Sequence, residues 1–66
     1  MHIYINGDSR TIPDKQSLSE LIDSLNLAGK RFAVEINKTL ILRSQYAQTE
    51  LHDEDKIEIV GAIGGG

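Results

Sequence analysis

The sequence has 66 residues, the size of one small domain, and its 7 basic and 10 acidic residues give a formal net charge of -3. It contains no cysteine, so disulfides are excluded, and His2 and His52 stand apart from any cluster that would hold a structural zinc ion. Stability is therefore expected to come from an apolar core of Ile, Leu and Val. The scattered basic residues argue against a nucleic-acid-binding protein, which usually has a basic patch or stripe.

The sequence shows no sign of export or membrane insertion. No basic region followed by an apolar run opens the chain, and no stretch approaches the roughly 18 apolar residues that a membrane span needs. The absence of cysteine also fits a reducing compartment. We therefore expect a soluble, cytoplasmic protein that binds neither membranes nor nucleic acid.

The first predicted element is a β-hairpin. Residues 1–6 alternate between two faces with the period of a strand. Asn6-Gly7 tolerates the positive φ of a tight hairpin turn, and a second strand over residues 9–12 ends before Pro13.

A helix is predicted next, because Ser17 and Glu20 have the spacing of a capping box. In that motif the Ser17 hydroxyl accepts from the Glu20 backbone N–H, and the Glu20 carboxylate accepts from the Ser17 N–H. Residues 26–29 would end the helix, with Gly29 available for a left-handed conformation. The apolar residues of the helix form one stripe that faces a core: Leu18, Leu21, Ile22 and Leu25.

The second half of the chain is predicted to form three strands. They cover residues 32–36, 40–42 and 56–60, and the first two are joined by a turn at Asn37-Lys38. The polar segment before the last strand is expected to contain a turn of helix anchored by Tyr46 and Ala47, followed by Leu51 and a polar turn at residues 52–55.

This order of elements predicts an α+β fold with a mixed sheet of four to five strands. One helix covers only one face of such a sheet, so the other face stays partly open and carries His2, Tyr4, Glu58 and Val60. With the last strand beside the first, the arrangement is the ubiquitin-like β-grasp. We predict a β-grasp domain over residues 1–60 and a flexible, glycine-rich C-terminal tail over residues 61–66.

The tail is the main functional feature of the sequence. Gly64, Gly65 and Gly66 have no Cβ atoms, so they can thread a narrow channel and bring the Gly66 carboxylate to a phosphoryl group. ATP can activate that carboxylate as a mixed anhydride with AMP, which a nucleophile then displaces. No serine–histidine–aspartate pattern and no metal-ligand spacing competes with this reading, so we expect no catalytic residue and no metal site. The alternative is a frayed end without a function.

Several segments of the chain together carry a resemblance to a known family: residues 33–37, Ile41-Leu42-Arg43, Tyr46-Ala47, Leu51, residues 53–60 and residues 64–66. With them, nearly the whole chain resembles the bacterial sulfur carrier proteins of thiamine biosynthesis, the ThiS family. The chain departs from the usual pattern at Lys38 and Glu54, where glycine is usual, at Leu42, where proline is usual, and at Tyr46, where tryptophan is common.

The resemblance implies a mechanism and a set of partners. A ThiF-like adenylyltransferase would use ATP and magnesium to adenylate the Gly66 carboxylate. Sulfur from a persulfide donor would then replace AMP and give a thiocarboxylate. A ThiG-like thiazole synthase would take that sulfur into the thiazole ring of thiamine. The chain itself would bind no cofactor and would not be an enzyme.

Docking of these partners needs a surface on the globular domain. Exposed apolar residues beside polar ones often mark such surfaces. The candidates for partner binding are Tyr4, Leu42, Arg43, Val60 and Ile63.

Three alternatives to a sulfur carrier of thiamine biosynthesis remain open. They are the small sulfur-carrying subunit of molybdopterin synthase, a ubiquitin-like modifier joined to lysine through Gly66, and a plain interaction module.

Overall fold

The computed structural model describes residues 1–27 and 29–63. In chain order the elements are β1 (His2–Ile5), β2 (Asp8–Thr11), α1 (Leu18–Ser24), β3 (Arg31–Ile36), β4 (Thr39–Ile41), a 3₁₀ helix (Arg43–Gln48) and β5 (Lys56–Ile63). Neither helix in these ranges has the length and apolar character that crossing a lipid bilayer requires.

The strands form one five-stranded sheet with the order β2-β1-β5-β3-β4. Strands β1 and β5 are parallel, whereas β1 pairs with β2, and β3 with both β4 and β5, in antiparallel fashion. The last strand therefore lies beside the first, at the centre of the sheet. This mixed sheet, with one main helix on one face, confirms the predicted ubiquitin-like β-grasp.

Both hairpins turn through two residues with positive φ. The first uses Asn6 at 49° and Gly7 at 88°, and the second uses Asn37 at 51° and Lys38 at 70°. Such turns match the twist of the flanking strands. Lys38 thus occupies a left-handed position that glycine adopts without steric cost.

Helix α1 begins at the predicted capping box. The Glu20 backbone N–H donates to Ser17 Oγ at 3.1 Å, and the Ser17 N–H donates to Glu20 Oε1 at 3.0 Å. The N–H of Leu18 donates to the carbonyl oxygen of Thr49 at 2.8 Å, which fixes the start of the helix against the end of the 3₁₀ helix.

The core lies between α1 and one face of the sheet and consists mainly of Ile, Leu and Val, as predicted. Tyr46 is buried, as expected, but Ala47 is exposed, so its predicted role as an anchor is wrong. A 3₁₀ helix has about three residues per turn, so neighbouring side chains point in different directions and only one of this pair faces the core. The buried hydrophobic residues are Ile3, Ile5, Ile12, Leu18, Leu21, Val34, Tyr46, Leu51 and Ile57.

Two of the differences between the observed and the predicted strand ends affect residues of the candidate site. Strand β4 ends at Ile41, so Leu42, which was predicted to lie in it, is the N-cap of the 3₁₀ helix. Strand β5 continues past Val60 to Ile63, so residues 61–63, which were assigned to the flexible C-terminal tail, belong to the sheet. Gly64, Gly65 and Gly66 lie outside the described residues.

Candidate functional site

Strand β5 leads directly to Gly64, the first residue of the predicted threading segment, and it is the central strand of the sheet. On one side Ile57 lies opposite Ile5 of β1, and on the other side residues 57–60 pair with β3. The backbone of β5 is thus paired on two sides at Ile57, and pairing with β3 continues to Ile63.

Asn6 extends this pairing beyond the end of β1. Its backbone N–H donates to the carbonyl oxygen of Ile57 at 2.8 Å. Its side-chain Oδ1 accepts from the N–H of Ile59 at 2.8 Å, and its Nδ2 donates to the Ile59 carbonyl oxygen at 3.3 Å. The side-chain amide therefore takes the place of one more strand residue.

A bulge at Gly61 interrupts the ladder between β5 and β3. Ala33 lies opposite Val60, whereas Arg31 lies opposite Ile63, so β5 has one extra residue in this interval. Gly61 has a φ of 75°, the left-handed conformation that is usual at such a bulge. Pairing resumes at Ile63, beyond the bulge. The strand is therefore longer than the alternating sequence pattern, which ends at Val60, indicates.

The face of the sheet opposite α1 contains two of the predicted partner-binding residues. Tyr4 lies opposite Lys56, and Val60 lies opposite Ala33, on the side that alternates with the buried Ile57. We call this the open face. Tyr4 is half-buried and its ring lies 5.0 Å from that of His2, whereas Val60 is 49% exposed. The register thus places both residues where the alternation predicts them.

Arg43 lies elsewhere. Its guanidinium carbon is 5.8 Å from the centroid of the Phe32 ring, within the range of a cation–π contact. Together with Ile22 and Tyr46 these residues line a groove of about 380 Å³ between α1 and the 3₁₀ helix. The structure therefore does not bring Arg43 together with Tyr4 and Val60.

The other two candidates flank the open face. Leu42 is 56% exposed and has extended backbone angles, so it follows the alternation of Leu40, which lies on the open face opposite Glu35. Ile63 is the last residue of β5 and pairs with Arg31.

The structure also assembles a group that no spacing in the sequence indicates. His2 Nε2 contacts the Ser9 hydroxyl, and His2 Nδ1 lies 3.2 Å from Glu54 Oε2. The β1–β2 register and the turn at residues 52–55 bring these three residues together. Ser9 is exposed on an edge strand and does not lie in a pocket that could bind a substrate. We therefore interpret the group as a link between the first hairpin and the turn at residues 52–55.

Among residues 1–27 and 29–63, no three His, Cys, Asp or Glu side chains form a group that could hold a metal ion. The described geometry is therefore that of a strand terminus beside an open sheet face.

Comparisons with known proteins point to one family. A family model described as the ThiS family matches residues 3–66. A relative from Bacillus subtilis (strain 168), named sulfur carrier protein ThiS, is 38% identical over 65 residues, which make up 97% of this chain and 98% of that protein. The crystal structure of the thiamine biosynthesis protein ThiS from Geobacter metallireducens superimposes with a TM-score of 0.84 at 28% identity and covers 100% of both chains.

A second kind of relative is much longer. The thiazole synthase of Paramagnetospirillum magneticum is 38% identical over 66 residues, which are 100% of this chain but only 20% of the synthase. The chain thus spans about a fifth of the length of the thiazole synthase that it matches. Because the family model and the Bacillus relative both cover almost the whole chain, this protein belongs to the ThiS family.

Proposed function

We propose that this protein is a sulfur carrier of thiamine biosynthesis and that Gly66 is the residue that carries the sulfur. The observation that supports this most is the position of β5, whose paired backbone leads from the centre of the sheet to Gly64. Membership of the ThiS family supports the same conclusion, because the Bacillus relative is named a sulfur carrier.

The chemistry begins at the Gly66 carboxylate. A carboxylate oxygen attacks the α-phosphorus of ATP, pyrophosphate leaves, and an acyl adenylate forms. The terminal sulfur of a persulfide donor then attacks the carbonyl carbon, and AMP leaves. A thiol cleaves the sulfur–sulfur bond of the resulting acyl disulfide, which leaves the thiocarboxylate and a new disulfide.

None of these steps needs a catalytic group from this chain. ATP and magnesium are bound by the partner adenylyltransferase, which is ThiF-like. The chain contributes Gly64 and Gly65, whose lack of side chains lets the end of the chain enter a narrow active site. It is therefore a protein substrate, not an enzyme.

The globular domain provides the surface by which partners recognise the carrier. Tyr4 and Val60 lie on the open face, and the exposed Leu42 lies at its margin. Exposed apolar side chains of this kind favour protein contacts. Arg43 and Ile63 remain further candidates for partner contacts.

A thiazole synthase, ThiG-like, is the proposed acceptor of the sulfur. The match to a fifth of a longer thiazole synthase supports this, because joining two sequences in one protein favours their acting together. The thiocarboxylate is anionic and nucleophilic at sulfur, so it suits transfer to an electrophilic intermediate.

Isotope exchange between ATP and pyrophosphate tests the first step. We expect the ThiF-like enzyme to catalyse this exchange only when the carrier is present. Deletion of Gly66 should abolish the exchange, while a substitution at the remote, exposed Gln48 should leave it unchanged. Exchange that persists without Gly66 would contradict the proposal.

A further inference from the structure

Two carboxylates face each other on the open face. Glu35 of β3 lies directly opposite Glu58 of β5 in the antiparallel register. The Cβ atoms of such a pair are about 5 Å apart, and like charges at this spacing destabilise a sheet. Glu35 is half-buried and Glu58 is exposed, so water screens one carboxylate more than the other.

No cation of the described chain neutralises this pair. Lys56 is two residues from Glu58 on the same strand, and Arg31 is four residues from Glu35, so both share the alternation of the open face. The ion pairs within 4.0 Å among the described residues are formed by Met1 with Asp14, His2 with Glu54, and His52 with Glu50 and with Asp55. Neither glutamate therefore has an ion-pair partner within 4.0 Å among the described residues.

Apolar side chains flank the two carboxylates on neighbouring strands. Leu40 lies opposite Glu35 and is 56% exposed. Val60 follows Glu58 on the same face and is 49% exposed, beside Ala33. A surface that covers this region must match an apolar rim and two central negative charges.

We propose that Glu35 and Glu58 receive one arginine or lysine side chain of the adenylyltransferase, whose neighbouring apolar side chains cover Leu40 and Val60. This inference rests on the proposed function and deepens it by naming the chemistry of the partner surface. An arginine fits best, because its planar guanidinium donates to two carboxylates at once. Nucleic acid and anionic lipid are disfavoured, because both would be repelled by the pair.

The arrangement has opposite consequences for the free protein and for the complex. In the free protein the two charges repel each other, so removing one should stabilise the fold. In the complex the cation attracts both, so removing one should weaken binding. Carboxylates that served only the fold would not give this combination.

Calorimetric titration of the carrier with the purified ThiF-like adenylyltransferase tests the inference, together with thermal melting of the carrier alone. The variants are Glu35→Gln, Glu58→Gln and the double variant, with Asp8→Asn on the exposed edge strand as a control that matches the charge change of either single variant. We expect the double variant to raise the dissociation constant roughly three- to tenfold. Its melting temperature should rise by roughly 1–5 °C. The control should change neither quantity comparably.

A charge reversal makes the test sharper. Glu35→Lys would place a cation opposite Glu58, which should stabilise the free carrier and repel the partner's cation. Tighter binding of this variant would show that the partner presents an anion, and it would overturn the inference.

The remaining outcomes separate this inference from the proposed function. If the wild-type carrier supports ATP–pyrophosphate exchange while all glutamine variants bind equally well, the inference fails and the proposed function stands. A loss of thermal stability in the glutamine variants also overturns it, because the carboxylates then serve the fold. If the wild-type carrier neither binds nor supports exchange, both the proposed function and this inference fail.

Discussion

The side-chain amide of Asn6 holds the backbone of Ile59 by two hydrogen bonds, of 2.8 Å to its N–H and 3.3 Å to its carbonyl oxygen. Strand β1 ends at Ile5, so the Asn6 side chain supplies hydrogen bonds to β5 beyond the end of β1. These bonds lie on the part of β5 that leads to Gly61 and the C-terminal glycines. The residue that makes the first hairpin turn thus also stabilises the strand that leads to the proposed reactive end.

Replacing Asn6 should therefore destabilise the fold. Asn6→Gly keeps access to the φ of 49° but removes both side-chain hydrogen bonds, and we expect a loss of roughly 1–2 kcal/mol in the free energy of unfolding. Asn6→Asp keeps the acceptor for the Ile59 N–H and should lose less. Urea unfolding measures both values. A glycine variant as stable as the wild type would show that the amide contributes nothing to the fold.

Lys38 is the position at which a substitution should stabilise the protein. Its φ of 70° is unfavourable for a residue with a Cβ atom, so Lys38→Gly should raise the free energy of unfolding by roughly 0.5–1 kcal/mol. Lys38→Ala is the matched control, because it removes the charged side chain but keeps the Cβ. Thermal melting should show an increase for glycine only, and equal increases for both variants would contradict the account.

Ser17 should contribute about 1 kcal/mol through the capping box. Ser17→Ala removes the acceptor for the Glu20 N–H, whereas Ser17→Asp retains one. Circular dichroism during urea unfolding should place the alanine variant well below the aspartate variant in stability. The explanation would be wrong if the two variants unfolded at the same urea concentration.

Asp55 is the buried acidic residue of the described chain, with 8% of its surface exposed. Its Oδ2 accepts from the His52 N–H at 2.8 Å, and its Oδ1 accepts from Asn37 Nδ2 at 3.0 Å. Asp55→Ala leaves both donors without a partner, and we expect a loss of roughly 2–3 kcal/mol. The exposed Asp53, which accepts one hydrogen bond from the His2 N–H, is the control, and Asp53→Ala should cost less than about 1 kcal/mol.

Much of the fold was predictable from local patterns. The alternation around Ile3 and Val34, the capping box at Ser17 and the turn at Asn6-Gly7 each have a direct physical cause, and the structure contains all three. The open face followed from the presence of one helix on one side of the sheet.

Features that depend on contacts distant in sequence were not predictable in this way. The extension of β5 to Ile63 depends on a bulge at Gly61 and on pairing with Arg31, which leave no periodic signal. The opposition of Glu35 and Glu58 required the register of two strands that are far apart in sequence. Arg43 stays a predicted partner-binding residue, and its position over the Phe32 ring joins two segments that are separate in sequence, so no local pattern predicts it.

Sulfur loading at Gly66 is tested by the intact mass of the carrier after incubation with the adenylyltransferase, ATP, magnesium and a persulfide donor. We expect a mass increase equal to the exchange of one oxygen for sulfur, located at Gly66 by fragmentation and absent when Gly66 is deleted. A carrier that supports adenylation but never gains this mass, or that becomes joined to a lysine of another protein, would contradict the sulfur-carrier account.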